Sequence, residues 1–295
     1  MATGGPVPDR LASARRRAAA ARARAAQESG DAERREELAA AAASEAVRDM
    51  HLRITALHRS TASRHLTAAR LQEAYAERLS RAGDRPGDPQ PLFMTGVAAA
   101  CGTGSAALML VGTALDQLAV AASDETARAA QELEFLLGEG PARDATRELR
   151  PVSVSGAALA ARWPGYGRAV AELGIAEVAA VPLSVAGVCF GALTVFDPGP
   201  GVTGSTAFAE VAAALAHSMV LRATGEPDLY GGMDVLAVVH QAAGMLSVRL
   251  DCSVVDALEL IKARSFAEGV SALSVAERIL TGRPTLDWPK RRTET

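Results

Sequence analysis

Aromatic residues are scarce, 4% of the 295-residue chain, and there are three cysteines, Cys101, Cys189 and Cys252. With so few rings, Ala, Val and Leu must fill whatever cores the 49% of apolar residues build. The cysteines are widely separated and form no C-x-x-C pair. That excludes a disulfide framework and a zinc ribbon, and fits free thiols in a reducing cytoplasm. A basic excess is also missing. The net charge is −3 and the pI about 6.0, so any nucleic-acid contact must come from a local patch. No apolar run reaches the ~18 residues of a membrane-spanning helix. No apolar run follows the N-terminal charges as it would in a signal peptide. The expected location is cytoplasmic.

What is present divides into four zones. Residues 1–31 are rich in Ala and Arg, including Arg15-Arg16-Arg17. Low complexity and few large apolar residues predict a disordered or frayed basic arm, either a solvated tail or an aid to RNA binding. Residues 32–82 hold good helix formers and no interior Pro, and predict one long helix. Two interrupted heptad rows run along it, Met50, Leu57, Arg64, Leu71 and Ile54, Thr61, Ala68, Tyr75. A thin apolar stripe needs a partner, and a second copy of the same helix, forming a coiled-coil dimer, is the simplest one. His51, His58 and His65 recur every seven residues on one face. Two of them on one straight helix lie about 10 Å apart, too far to share a metal.

Residues 91–222 alternate between helical and strand patterns. Strands are expected at 106–111, 118–121, 151–154, 178–185 and 188–196, the last two joined as a hairpin around Ala186-Gly187. Helices are expected at 92–100, 126–137, 158–173 with a break near Pro164-Gly165, and 207–221. Together these make an α+β domain, an antiparallel sheet flanked by helices. Residues 229–289 predict an all-α module of three short helices. Ser253-Val254-Val255-Asp256 resembles a capping box with Asp in place of Glu or Gln. Ser271 caps the third helix, and Gly269 ends the second.

Leu136-Leu137-Gly138-Glu139-Gly140-Pro141-Ala142-Arg143-Asp144-Ala145 resembles a turn typical of GAF sensor domains, with Ala142 where cysteine is common. Val181-Pro182-Leu183, Gly187 and Phe190-Gly191-Ala192-Leu193 resemble the hairpin of the same domains. The C-terminal stretch resembles the ANTAR family in His240 to Arg249, Ser253 to Ala257, Lys262 to Ala267 and Leu273 to Leu280. That resemblance implies a module that binds paired RNA hairpins and acts in transcription antitermination. One departure is Ala243, where many members carry lysine. The GAF resemblance leaves the ligand or cofactor unknown.

RNA recognition needs phosphate neutralisation, close backbone approach and groups that read unpaired bases. The candidates are Gln241, Ala242 and Gly244 on the first of the three helices, with Arg249, Lys262, Arg264 and Arg278 as the cationic set. Small residues also serve plain helix packing, and single cations also serve plain solvation. Lys262 and Arg264, two apart, cannot share a face. Phe266 reads as a packing residue of the second helix. Cys101-Gly102-Thr103-Gly104 lacks the Lys-Ser/Thr of a phosphate loop. Cys189 lies in an apolar strand with no histidine near it in sequence. Glu139, Asp144 and Asp197 read as turn residues. No catalytic or metal set emerges, so the chain is not expected to be an enzyme. The expected function is a signal-responsive regulator that binds hairpin RNA. The alternative is a small-molecule sensor acting through protein association alone.

Overall fold

The computed structural model describes residues 7–82, 92–112, 115–202, 205–221 and 234–281. The linkers at 83–91 and 222–233 and the basic tail with Lys290-Arg291-Arg292 lie outside them, as does the stop at Gly282 and Pro284.

The described residues begin with a helical hairpin, α1 (Val7–Ala40) and α2 (Glu45–Ala82). The first corrects the expected arm. Ala18, Ala25, Ala32 and Ala39 recur every seven residues and are all buried. Thr55, Ala62, Ala69 and Ala76 do the same on α2. Two small-residue stripes let the helices run close together in antiparallel register. Arg22 Nε donates to Glu73 at 2.5 Å midway along the hairpin, and Arg59 to Glu36 at 2.6 Å nearer its turn. Low complexity here is a packing seam. The long α2 therefore finds a partner in its own chain. The expected single helix from residue 32 is broken at Ala41–Ser44. The histidine face looks into this packing. His58 Nδ1 meets Glu28 at 2.7 Å, and His65 meets His217 edge-on with ring centroids 4.8 Å apart.

After α3 (Leu92–Ala100) come β1 (Ser105–Val111) and β2 (Gln117–Ala122), α4 (Glu125–Leu137) and α5 (Pro141–Glu148). Then follow β3 (Val152–Ser155), α6 (Ala157–Arg162), α7 (Tyr166–Glu172), β4 (Glu177–Val185), β5 (Val188–Phe196) and α8 (Thr206–Leu221). The strands form one antiparallel sheet in the order β2-β1-β5-β4-β3. The β4–β5 turn has positive φ at both Ala186 and Gly187, which suits the twist of a two-residue hairpin.

Alternation along the strands gives the sheet two apolar faces. Leu108, Leu183, Leu193 and Val195 meet α2, α3 and α8 through Leu71, Leu79, Met94, Val97 and Leu215. Met109, Val178, Ala180, Ala192 and Phe196 meet α4 to α7 through Ala127, Ala130, Leu159, Trp163 and Tyr166. Three further helices follow among the described residues: α9 (Asp234–Leu250), α10 (Val254–Glu268) and α11 (Ala272–Leu280). Ser253 and Ser271 cap the second and third by accepting the N–H of Asp256 and Ser274, and Gly269 ends α10 at φ +63°. Their core is Val239, Leu246, Ile261, Val275 and Ile279. This module sits at the β2 edge of the sheet, where α9 covers a strand side that would otherwise be open.

Candidate functional site

The inner side of the α+β domain is organised by three acidic residues around α4. Asp124 caps the start of α4 by accepting the N–H of Ala127 at 2.9 Å. Gly138, at φ +69°, ends it. Glu139 then turns away, and its Oε1 accepts the N–H groups of Gly165 (2.6 Å) and Tyr166 (2.8 Å) at the head of α7. Gly140 opens α5, with Pro141 in the first turn, where its missing N–H costs nothing. No side chain of its own caps α5. Glu134 of α4 reaches across, and its Oε1 accepts the N–H of Arg143 at 2.7 Å.

Glu134 is fully buried, and Gln131 Nε2 donates to its other oxygen at 3.1 Å. Burial pushes its pKa up to about 8, against the opposing pull of these donors. Tyr166, also fully buried, stands edge-on to Trp163 at 5.8 Å. Burial, and then the charge of Glu134, raise its pKa well above the usual value. Gln131 Oε1, Tyr166 Oη, Arg143 Nε and Thr194 Oγ1 are buried without a hydrogen-bond partner among the described residues. Thr194 faces this same layer, between Ala192 and Phe196 on β5. Polar atoms left unpaired in a core each cost about 1–3 kcal/mol, so these groups gain from any polar partner that reaches them.

Asp144 lies within α5 instead of a turn, and its Oδ2 accepts from Arg162 Nε (2.9 Å) and Trp163 Nε1 (3.1 Å). Asp197 accepts the N–H groups of Ala176 (2.7 Å) and Glu177 (2.9 Å). Burial raises the Cys101 thiol to about 12, so it is not a ready nucleophile. Among the described residues no three His, Cys, Asp or Glu side chains gather to hold a metal, and no helix is long and apolar enough to cross a membrane.

A family model of the GAF domain matches residues 34–221. The chain belongs to the GAF domain family. The match takes in the end of α1 and all of α2. It ends before α9. No curated protein and no solved structure matches the chain.

Outside the GAF domain, the three-helix module distributes the candidate RNA residues unevenly. Gln241 and Arg249 are exposed on α9. Ala242 is fully buried in the module's core, so it packs and does not face a ligand. Ala243, where the resembled family has lysine, is buried too. Gly244 is partly exposed, and an added Cβ there would meet nothing within 4 Å. Arg264 and Arg278 come together because both donate to the carboxylate of Glu268, which holds that carboxyl below its usual pKa. Lys262 points elsewhere. Its Nζ bonds Glu259 at 2.9 Å and stands 4.7 Å from the ring centre of Phe135, on α4 of the GAF domain.

Phe266 corrects the expectation of a packing residue, since it is 67% exposed. It follows Arg264 by two positions on the same helix. Sequence reading missed α5 altogether. The Gly-Pro pair looks like a turn until Glu134, six residues before Gly140, is seen to supply the cap.

Proposed function

We propose that the chain is a signal-responsive regulator whose GAF domain senses a small polar molecule and whose C-terminal three helices bind hairpin RNA. Sensing proceeds without catalysis. The observation that carries the output half is the Arg264–Glu268–Arg278 cluster. It holds two guanidinium groups together on a module with its own core, while Phe266 is exposed on another face of α10. Guanidinium groups suit phosphate, and an exposed ring suits a splayed base. The resemblance of these helices to the ANTAR family supports the same reading, with control of transcription termination or translation as its consequence. The unpaired polar atoms around Glu134 support the sensing half.

The test is titration of the full chain with a paired-hairpin RNA and an unstructured RNA of equal length across several salt concentrations. Preference for the hairpin, with affinity falling as salt rises, supports the reading. Equal, weak binding of both RNAs favours the alternative, a sensor acting through protein association alone. A homodimer is part of the proposal. The buried seam of α2 is used by α1, but Val47, Met50 and Leu57 stay exposed on α2 and offer an apolar row to a second copy.

A further inference from the structure

Only two lysines occur in the chain, Lys262 and Lys290. The first is held against the GAF domain. Its side chain is 12% exposed, and the ring beneath its ammonium, Phe135, is 4% exposed. Two further bonds fasten the module at the same place. Glu132 Oε1, also on α4, accepts the N–H of Ala272 at 2.8 Å, so a GAF-domain carboxylate sits at the N-terminus of α11. His240 Nε2 donates to the Gln117 carbonyl oxygen of β2 at 3.0 Å. Val120 and Leu136 complete the contact as apolar neighbours of the module's core.

The helix that supplies Glu132 and Phe135 to this contact also lines the domain's interior. On α4, Ala127, Ala130, Gln131 and Glu134 follow a three- and four-residue spacing and face inward. Glu132, Phe135 and Leu136 occupy the adjoining face, toward the module. One rigid helix thus carries the unpaired polar group on one side and the docking surface on the other.

We propose that this contact is a latch. The GAF domain docks the three-helix module through Glu132 and Phe135 and withholds Lys262 from RNA, and displacement of α4 releases it. The inference rests on the RNA-binding reading and adds its regulation. In the latched arrangement Arg264 and Arg278 remain available while Lys262 does not, so the closed protein binds hairpin RNA with one cationic contact fewer. A cation over a ring, freed into water, is replaced by a cation free to meet phosphate.

The test has a readout that needs no RNA. Full-length protein is treated with an amine-acylating reagent, and the modification rate of Lys262 is followed by mass spectrometry, native against denatured. Lys262 should be protected in the native parent. Glu132→Ala or Phe135→Leu should speed its modification roughly fivefold, the scale of a cation–π contact at a partly exposed site. Glu132→Gln, which keeps an acceptor for Ala272, should lie between. The same variants should bind hairpin RNA more tightly, and adding Lys262→Met should cancel the gain. No protection in the parent, or no change in Glu132→Ala with the fold retained by circular dichroism, overturns the latch. Deprotection without hairpin binding by any variant would leave the latch standing and sink the RNA reading.

Discussion

Glu134 on α4 accepts the N–H of Arg143 at 2.7 Å, so the start of α5 is capped by a carboxyl group from a neighbouring helix. Gly140 makes this possible. Its φ is +154°, and a Cβ there would lie 2.7 Å from both Cγ and Cδ of Glu134. Gly140→Ala should therefore push the carboxyl off its donors and strain the backbone together. The expected loss is about 2–4 kcal/mol, the range of a backbone clash added to a broken buried network. Urea denaturation measures it. A loss under ~1 kcal/mol would mean the cap tolerates displacement.

The same carboxyl sets a pH dependence. Its pKa rises from 4.5 to about 8 on folding, so the native state holds a proton that the unfolded chain releases. Stability is then greatest below 4.5 and declines as pH climbs toward 8, with a limiting slope of about 1.4 kcal/mol per pH unit. Glu134→Gln should flatten this decline and leave the variant relatively more stable at alkaline pH. A parent-like slope in Glu134→Gln would assign the effect to another group.

His65 and His217 act in the opposite direction. Burial lowers both pKa values from 6.5, and for His65 its neighbour His217 adds to the shift. The groups facing them are Glu28 and Arg24 from α1 and Arg64 on α2. The unfolded chain takes up protons that the native pair resists, so this contribution is present above 6.5 and is lost as pH falls below it. His217→Asn should remove much of the acid-side loss while leaving the alkaline trend of Glu134 untouched. Denaturant midpoints of parent and variant on both sides of 6.5 decide the matter.

The strands were readable because apolar alternation is local. All five expected strands match to within a residue at each end. Two helices were hidden for different reasons. α5 depends on Glu134, which lies in another element. α1 looked like low complexity because alanine carries little hydrophobic signal, although Ala18, Ala25, Ala32 and Ala39 repeat every seven residues. The apolar rows on α2 misled only in their first half. Met50 and Leu57 are exposed, Leu71 and Tyr75 are buried, and the stripe against α1 is Thr55, Ala62 and Ala69. In the RNA candidate set, the opposed directions of Lys262 and Arg264 followed from helix geometry. Phe135 covering Lys262 is a contact over more than a hundred residues of sequence, which no local pattern reports.

The α1 seam gives a direct check. Ala25 is 2% exposed between two close helices. Ala25→Leu adds a branched side chain where the seam has no room, and should cost about 1–3 kcal/mol. An unstructured arm would show no change in urea midpoint or helical ellipticity.

A second copy of the chain would cover the row that α1 leaves open. Met50→Ser together with Leu57→Ser removes its centre without touching the buried stripe, since these side chains are 47% and 68% exposed. Light scattering of the parent should give a dimer mass at micromolar concentration, and the double variant a lower one. An unchanged dimer would place the interface elsewhere, and a monomeric parent would remove the proposal.

The proposed RNA contacts are tested at Phe266 and at the arginine pair separately. A ring 67% exposed contributes little to the fold, so Phe266→Ala should leave stability within about 0.5 kcal/mol of the parent. If the ring stacks on an unpaired base, the same change should weaken hairpin binding by about 1–3 kcal/mol, without altering the salt dependence, because no charge is lost. Arg278→Ala should act in the complementary way. It removes one phosphate contact and should reduce the salt slope by about 0.7–0.9. It also leaves Glu268 with Arg264 alone, so the carboxyl's acidic pKa should rise partway toward normal. Arg264→Glu with Arg278→Glu reverses both charges and should abolish hairpin preference. A double reversal that binds as well as the parent would show that this face does not meet RNA, and the three helices would then have to act on a protein instead.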